Sequence, residues 1–231
     1  MPDLRALIRI PNPEMITTVI FDMDGLLLDT EPLWAVSMNR VATKHGIAIT
    51  PERFKETTGL RIYEVTEHWA RHYPWEGSTP DLVAGEILDD IIALSKEQGG
   101  IMRGVLPLLD LLERHELKIG LATSSPTRMV EALIEHFGIA RRFHCVTSAD
   151  AVEMGKPHPA VFLHCAKNLG SLPHECLVLE DSVNGAIAGK AARMKVIAVP
   201  DELHWDDPRF SIADMKLRSL EDLDEGVLMR M

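Results

Sequence analysis

The sequence predicts an α/β fold in which helices cover both faces of a parallel sheet and a small all-helical domain is inserted after the first strand. In the second half of the chain, apolar runs rich in β-branched residues alternate with helical patterns, which is typical of a parallel sheet. Residues 32–98 contain instead one helical pattern after another and no strand pattern. A chain of 231 residues is long enough for a core domain and a smaller second domain.

Five apolar runs are the predicted strands. The first run, TTVIF, is β-branched and apolar, so it fits a buried strand. Four later runs have a similar character. The predicted strands span residues 17–21, 118–123, 143–148, 176–181 and 195–200.

Helical patterns lie between the later strands. Residues 128–138 have apolar side chains at helical spacing and end at a glycine. Residues 159–170 begin with a proline in the first turn and also end at a glycine. Residues 182–193 are rich in small side chains. This alternation places helices on both faces of the predicted sheet.

The inserted segment is predicted to be wholly helical. Two of its helices begin with a threonine N-cap followed by a proline, at Thr50 and at Thr79. The predicted domains are a core of residues 1–31 and 101–231 and a helical domain of residues 32–100. The two connections between them, near residues 29–33 and 98–104, are candidate hinges.

Composition and charge argue against several classes of partner. The formal net charge of −11 at pH 7 would repel a phosphate backbone, so we expect no nucleic-acid partner. No apolar run approaches the roughly 20 residues that cross a bilayer, so we expect no membrane partner. The N-terminal residues lack the apolar core of a signal peptide, and a cytoplasmic location is expected. Aromatic residues make up only 5% of the chain, which is compatible with the monomer that we expect.

The first residues and one acidic residue have a structural interpretation. Pro11 and Pro13 predict an extended segment before the first strand. Asp29 either caps the helix that follows it or belongs to the functional site, and the sequence does not separate these alternatives. After the second strand, Ser125 is the predicted N-cap of a helix and Pro126 its first residue. Free N–H groups at such a helix start can bind an anion.

Acidic and polar side chains follow the predicted strands at the edge where a parallel sheet binds ligands. They are Asp22 and Asp24 after the first strand, Thr123 and Ser124 after the second, Lys156 after the third, and Glu180, Asp181 and Asn184 after the fourth. Carboxylates supply hard oxygen ligands for Mg²⁺ and can act as nucleophiles. Lysine and hydroxyl donors neutralise charge on a transferring group. The pattern therefore indicates phosphoryl transfer with magnesium.

Four motifs identify a family when they are taken together. DMDG, TSS, GKP and LVLEDSVNG, in this order, resemble the motifs of the haloacid dehalogenase-like hydrolases, over about residues 16–222. The resemblance implies a Rossmann-like core whose helical insert is the small cap domain of that family. It further implies that Asp22 is the nucleophile and Asp24 the general acid and base. Thr123 and the N–H of Ser124 would bind the phosphate, and Lys156 would tie the phosphate to the nucleophile.

The same resemblance implies a magnesium site. Its ligands would be Asp22, the main-chain carbonyl of Asp24, and Asp181. Glu180 would lie in this ligand shell or beside it, where it would orient Asp181 or a lysine. Asn184, which follows on the next helix, is included as a substrate-binding residue.

Two longer stretches narrow the resemblance. FDMDGLLLDTEPLW and TTGLRIYEV are similar to the β-phosphoglucomutase-like branch and, within it, to bacterial hexitol phosphatases, which also hydrolyse 2-deoxyglucose 6-phosphate. Gly59 and Arg61 match a cap loop that reaches into the site in that branch and would bind substrate. Alternatively, Arg61 is a solvated residue at a helix start. A mutase of the branch carries a histidine where this chain has Trp34, which favours hydrolysis.

These interpretations predict a Mg²⁺-dependent phosphatase that acts on a small phosphorylated metabolite, a sugar or polyol phosphate, through an aspartyl-phosphate on Asp22. One alternative is a phosphosugar mutase of the β-phosphoglucomutase type. A second alternative, from another class, is a non-catalytic phosphate-binding or scaffold protein with the same fold.

Overall fold

A six-stranded sheet lies at the centre of the protein, whose computed structural model describes residues 15–57 and 59–231. The strands are β1 (Thr18–Phe21), β2 (Lys118–Thr123), β3 (Cys145–Ser148), β4 (Cys176–Glu180), β5 (Lys195–Ala198) and β6 (Met215–Lys216). All neighbours pair in parallel, in the order β3-β2-β1-β4-β5-β6. The predicted α/β fold with a parallel sheet is confirmed. The predicted extended segment around Pro11 and Pro13 lies outside the described residues.

The position of β1 in the middle of the sheet decides where the site forms. Phe21, the last residue of β1, pairs with Leu121 of β2 on one side and with Leu179 of β4 on the other. The chain therefore leaves these three strands at the same edge of the sheet. This edge receives the polar residues that follow each strand.

Helices surround the sheet and fill the segment between β1 and β2. Within the described ranges they are α1 (Glu31–Lys44), α2 (Pro51–Glu56), α3 (Ile62–His72), α4 (Pro80–Gln98), α5 (Val105–Arg114), α6 (Thr127–His136), α7 (Ala160–Asn168), α8 (Val183–Ala191) and α9 (Glu225–Leu228). Among the described residues, no helix is both long and apolar enough to cross a membrane.

Alternate residues of the strands bury themselves against different helices. Ile20 and Val178 belong to the hydrophobic cluster that contains α7 and α8, whereas Phe21 and Leu179 belong to the cluster that contains α5 and α6. Side chains of a strand alternate between the two faces of its sheet. Helices therefore cover both faces, and this explains why the strands read as continuous apolar runs.

Helices α1 to α4 form the predicted insert between β1 and α5. Both α1 and α3 pack on α4, and Trp69 and Ile87 are fully buried among them. Thr79 caps α4 as predicted, since its hydroxyl accepts the N–H of Leu82 at 3.3 Å. The division into a core of residues 1–31 and 101–231 and a cap of residues 32–100 stays a prediction.

The two connections between the sheet and the insert pair with each other. The N–H of Met102 donates to the carbonyl of Leu27, and the N–H of Asp29 to that of Gly100, each at 2.9 Å. Leu28 is fully buried between them. These paired segments lie at or beside the candidate hinges, whose movement remains a prediction.

One predicted helix start is wrong, and one alternative for a second helix is excluded. Helix α6 begins at Thr127 with Pro126 as its N-cap, because the hydroxyl of Ser125 is bonded to another residue at the sheet edge. Helix α1 has Thr30 as its N-cap, so Asp29, which is exposed, does not cap it, and the alternative of a site role for Asp29 stays a prediction.

Three elements are absent from the sequence prediction: α5, β6 and the four-residue helix α9. Helix α5 carries Pro107 in its first turn, a position where proline is tolerated although it obscures the helical pattern. Strand β6 pairs with β5 over only two residues, Met215 and Lys216, which is too short to show alternation.

Candidate active site

Asp22, Lys156 and Glu180 meet in a buried group at the edge of the sheet. Asp22 continues β1, and its N–H donates to the carbonyl of Leu179 at 3.0 Å. The Lys156 ammonium contacts Oδ1 of Asp22 and lies 2.5 Å from Oε1 of Glu180. It also lies 4.7 Å from the centre of the Phe162 ring. Lys156 thus joins the strand ends of β1 and β4 from the loop that follows β3.

Burial and mutual repulsion perturb these acids. Burial raises the pKa of Asp22 to about 8, with Lys156 opposing the shift and Glu180 and Asp24 adding to it. Burial and the neighbouring carboxylates of Glu180 and Asp22 raise the pKa of Asp181 well above its usual range. Burial lowers the pKa of Lys156, but the carboxylates of Asp22 and Glu180 outweigh it and raise that pKa. One ammonium does not balance these carboxylates, so the site favours a further cation.

The residues fit a divalent metal ion. Asp22, Glu180 and Asp181 each offer a carboxylate oxygen, and these oxygens all lie within 4.8 Å of one another. Carboxylate oxygens are the ligands that Mg²⁺ prefers, and the ion keeps positions for water and phosphate. The donor set therefore supports the predicted magnesium site at this edge.

Gly25 allows the acidic residues to approach one another. Its φ of 75° lies in the left-handed region, which lets the chain turn directly after Asp24. The carboxylate of Asp181 occupies the space that a side chain at position 25 would fill. A residue larger than glycine would therefore displace a proposed metal ligand.

Three hydrogen bonds hold the Asp24 carboxylate. The hydroxyl of Thr30 donates to Oδ1 at 2.6 Å, and the indole N–H of Trp34 donates to the same oxygen at 3.1 Å. The hydroxyl of Ser125 donates to Oδ2 at 2.6 Å. Asp24 is thus fixed between the start of α1 and the segment that follows β2.

The segment after β2 forms a hydrogen-bonded turn beside Asp24. The buried hydroxyl of Thr123 accepts the N–H of Ser125 at 3.0 Å. The carbonyl of Ser125 accepts the hydroxyl of Ser148, at the end of β3, at 2.6 Å. Ser124 is half-buried between them. This arrangement supports a phosphate-binding turn, and the roles of Thr123 and Ser124 stay predictions.

Glu180 uses both of its carboxylate oxygens. While Oε1 contacts Lys156, Oε2 accepts the N–H and the hydroxyl of Ser182 at 2.9 and 2.8 Å. These bonds orient Glu180 toward Lys156. Glu180 also belongs, with Asp22 and Asp181, to the group of carboxylates that could hold a metal ion. The geometry is compatible with either of the two predicted positions of Glu180.

Gly59 and Asn184 bring the insert against the sheet edge. The side-chain amide of Asn184, in the first turn of α8, occupies the space that a side chain at Gly59 would fill. The φ of Gly59 is 84°, in the left-handed region. The proposed substrate-binding residues of the insert and of α8 are therefore in direct contact.

Arg61 links the insert to the loop that precedes Lys156. Its guanidinium pairs with Glu64 at 2.6 Å and donates to the carbonyls of Val152 and Glu153 at 3.3 and 3.1 Å. Arg61 is the N-cap of α3, so it does stand at a helix start, but its side chain is only 25% exposed and is therefore partly buried. Its role in substrate binding stays a prediction.

Sequence reasoning missed the residues that surround the two acids. The sequence predicts Ser125 as a helix cap, and it predicts no contact of Thr30, Trp34 or Ser182 with the site. A signal was present for Thr30 and Trp34, because residues four apart at a helix start share one face. The contact of that face with Asp24 depends on how α1 packs, which the sequence does not show.

Comparison with known proteins identifies a family and relatives whose names agree with a phosphate-binding site. Hexitol phosphatase B of Escherichia coli is 41% identical over 213 residues, which cover 92% of this chain and 96% of that protein. The crystal structure of CbbY from Rhodobacter sphaeroides in complex with phosphate has a TM-score of 0.84 at 26% identity, covering 94% of this chain and all of that one. β-Phosphoglucomutase from Clostridium difficile shares the fold, with a TM-score of 0.79 at 24% identity over 94% of this chain and 96% of that one. The model of the family described as haloacid dehalogenase-like hydrolase matches residues 19–199, and the chain therefore belongs to this family.

Proposed function

We propose that this protein is a Mg²⁺-dependent phosphatase that hydrolyses small sugar or polyol phosphates through an aspartyl-phosphate intermediate. The enzyme class, a phosphoric monoester hydrolase, is confirmed by the family and by relatives that carry the name phosphatase. The observation that carries the proposed mechanism is the buried contact of Lys156 with Asp22 and Glu180, next to an Asp24 held by hydrogen bonds.

The first step transfers the phosphoryl group to the enzyme. A carboxylate oxygen of Asp22 attacks phosphorus, and the bond from phosphorus to the ester oxygen breaks. Asp24 gives its proton to that departing oxygen, which leaves as a neutral alcohol. Lys156 stabilises the negative charge shared by the nucleophile and the transferring group.

The second step releases the phosphate. Asp24, now a carboxylate, takes a proton from water as the water oxygen attacks the phosphorus of the aspartyl-phosphate. The acyl oxygen–phosphorus bond breaks, which restores the Asp22 carboxylate and frees inorganic phosphate. The sum of the two steps is ester plus water giving alcohol plus phosphate, and Asp24 ends with the proton that it had at the start.

The remaining residues bind and orient. Thr123 and the N–H of Ser124 would hold phosphate oxygens at the end of β2. Mg²⁺, held by Asp22, Asp181, the carbonyl of Asp24 and, at or beside the ion, Glu180, would supply positive charge to the phosphoryl oxygens. Its role is supported by the fit of the carboxylate cluster.

The insert would limit the size of the substrate. Gly59, Arg61 and Asn184 bring the insert into contact with the core beside the acids, which supports a cap that closes over a metabolite-sized ligand and excludes water. Hexitol phosphatase B, by its name, acts on hexitol phosphates, and CbbY was solved with phosphate. These relatives support the sugar or polyol phosphate class.

The experiment is a screen of sugar and polyol phosphates with Mg²⁺, in which inorganic phosphate is measured. We expect release of phosphate that EDTA abolishes and that Asp22→Asn lowers by more than about 10³-fold, because the nucleophile is lost. Asp81→Asn is the matched control, since Asp81 is an exposed aspartate in the first turn of α4 and has no proposed role in the site. If Asp22→Asn keeps its activity, the proposed nucleophile is wrong.

A phosphosugar mutase is the second candidate, because the fold is shared with β-phosphoglucomutase. Incubation of a hexose 1-phosphate with enzyme and Mg²⁺ separates the two. Free phosphate supports the phosphatase, whereas hexose 6-phosphate without free phosphate supports the mutase. A scaffold protein would form neither product and would still bind phosphate.

A further inference from the structure

Trp34 makes a contact that the proposed mechanism does not use. Its indole N–H lies 3.1 Å from Oδ1 of Asp24, and its ring is half-buried against the hydrophobic core at the first turn of α1. The position is fixed by packing, since neighbouring Leu33 and the buried Met38 belong to the same cluster. A tryptophan held in this way presents its N–H to one chosen atom.

The chemistry of the three donors around Asp24 is unequal. The hydroxyls of Thr30 and Ser125 can donate or accept a hydrogen bond, so they tolerate a proton on the carboxyl oxygen that they face. The indole N–H of Trp34 can only donate. Oδ1 of Asp24 is thus bound by an N–H that can only donate and by the Thr30 hydroxyl, whereas Oδ2 is bound by a hydroxyl alone.

We propose that Trp34 is a positioning residue whose N–H holds Oδ1 of Asp24 and so orients the carboxyl group with Oδ2 toward the turn after β2. Oδ2 is the oxygen on the side of Ser125, in the turn after β2 that also contains Thr123 and Ser124. This is the side on which the phosphate is proposed to bind. Trp34 thereby keeps the acid facing the proposed phosphate site.

The inference rests on the proposed function, because it requires Asp24 to protonate a leaving oxygen. It predicts a selective effect. An ester of a poor leaving group, such as glycerol phosphate, needs the proton during phosphoryl transfer. p-Nitrophenyl phosphate does not, because nitrophenolate leaves as a stable anion. Loss of the Trp34 donor should therefore slow the first ester more than the second.

The experiment compares kcat/KM of the wild type and of Trp34→Phe for glycerol phosphate and for p-nitrophenyl phosphate, both with Mg²⁺. kcat/KM reports the steps up to phosphoryl transfer, so the later action of Asp24 as a base does not enter. We expect kcat/KM to fall by about tenfold for glycerol phosphate, part of the roughly 10²- to 10⁴-fold that general acid–base catalysis provides. For p-nitrophenyl phosphate we expect little change.

Trp75→Phe is the matched control. Trp75 also packs partly buried against the same core, but its indole nitrogen has no hydrogen-bond partner among the described residues. The change removes the same N–H without touching Asp24, and both esters should react as with the wild type. Thermal unfolding checks that the variants fold, and Trp34→Leu, which also lacks the donor, replaces Trp34→Phe if that variant does not.

Each outcome is informative. An equal loss for both esters, or no loss for glycerol phosphate, overturns the role of Trp34 while the phosphatase itself stands. A wild type that cleaves neither ester overturns the proposed function and this inference with it. Asp24→Asn, which removes the acid, should show the same selectivity as Trp34→Phe and a larger loss.

Discussion

At the scale of single residues, Lys156 is a buried cation in contact with two buried carboxylates. Its ammonium is buried between the carboxylates of Asp22 and Glu180, which are buried as well. A buried ion pair contributes little net stability when intact, but removal of one partner leaves an uncompensated charge. Lys156 should therefore matter both for folding and for the reaction.

We expect Lys156→Met to lower kcat by about 10²- to 10³-fold, as for the loss of a donor that stabilises developing charge. We also expect the EDTA-treated variant to lose about 3–5 kcal/mol of unfolding free energy, because the buried carboxylates lose their partner. Steady-state kinetics and urea unfolding measure the two effects. Added Mg²⁺ should restore part of the stability, since the ion would bring positive charge to the same carboxylates.

Lys190→Met is the control for the loss of a lysine. Lys190 pairs with Asp214 at 2.7 Å on the surface, and such pairs contribute about 0–1 kcal/mol. A variant at Lys156 that behaves like the variant at Lys190 would contradict the importance of the buried contact.

The sequence predicts some site residues far better than others, and the reason is physical. Asp22 and Asp181 are recognisable because an acid directly after a buried strand is unusual, and the strand fixes its position. Ser125 was misjudged because a serine before a proline fits a helix cap equally well. The donors at Thr30 and Trp34 depend on the angle at which α1 leaves the sheet, which arises from packing between distant segments.

At the scale of elements, the loop before α3 forms the contact between the insert and the core. Gly59 touches Asn184 of α8, and Arg61 reaches the loop before Lys156. Both contacts join the insert to segments that carry proposed site residues. The loop should therefore affect substrate binding more than the fold of either part.

We expect Gly59→Ala to raise KM for a sugar phosphate by about tenfold, or about 1.4 kcal/mol, because the new methyl group would collide with Asn184. Gly77→Ala is the matched control: Gly77 has a φ of 83°, close to the 84° of Gly59, but nothing lies within 4 Å of a Cβ added there. Both variants should lose similar stability, about 1–2 kcal/mol, from the left-handed backbone.

Kinetics and thermal unfolding of the two glycine variants separate strain from contact. If the collision causes the loss, Gly59→Ala should raise KM less when it is added to Asn184→Ala than when it is added to the wild type. Equal KM values for Gly59→Ala and Gly77→Ala would show that the contact with Asn184 has no part in binding.

Element prediction succeeded where one physical signal dominated. The five longer strands are mainly apolar because helices cover both faces of the sheet, and the N-cap at Thr79 is a local hydrogen bond. Strand β6 was not predictable, because Met215 and Lys216 adopt strand geometry only through their pairing with β5. Helix α5 was not predicted, because Pro107 interrupts its apolar pattern.

At the scale of the whole molecule, negative charge is concentrated where the proposed substrate is also negative. The net charge is −11, and Asp22, Glu180 and Asp181 add their carboxylates at the site itself. A phosphate ester would be repelled from such a surface unless a cation offsets the charge. Metal binding, substrate binding and stability should therefore be linked through the ionisation of the same carboxylates.

The last prediction follows from this linkage. The folded-state pKa values of Asp22, about 8, and of Asp181 are raised above the unfolded value, so in EDTA their contribution to stability is present below about pH 4 and is lost as pH rises toward 8. Mg²⁺ binds the ionised carboxylates, so its stabilisation should grow over the same window. At a hundredfold excess over Kd the gain is about 2.7 kcal/mol, which raises Tm by about 5–10 °C for a chain of this length. Differential scanning fluorimetry with Mg²⁺, or with KCl at equal ionic strength, should show this rise at pH 8, little of it at pH 5, and none with Asp181→Asn. An equal rise at both pH values would contradict ionisation of this cluster as the cause.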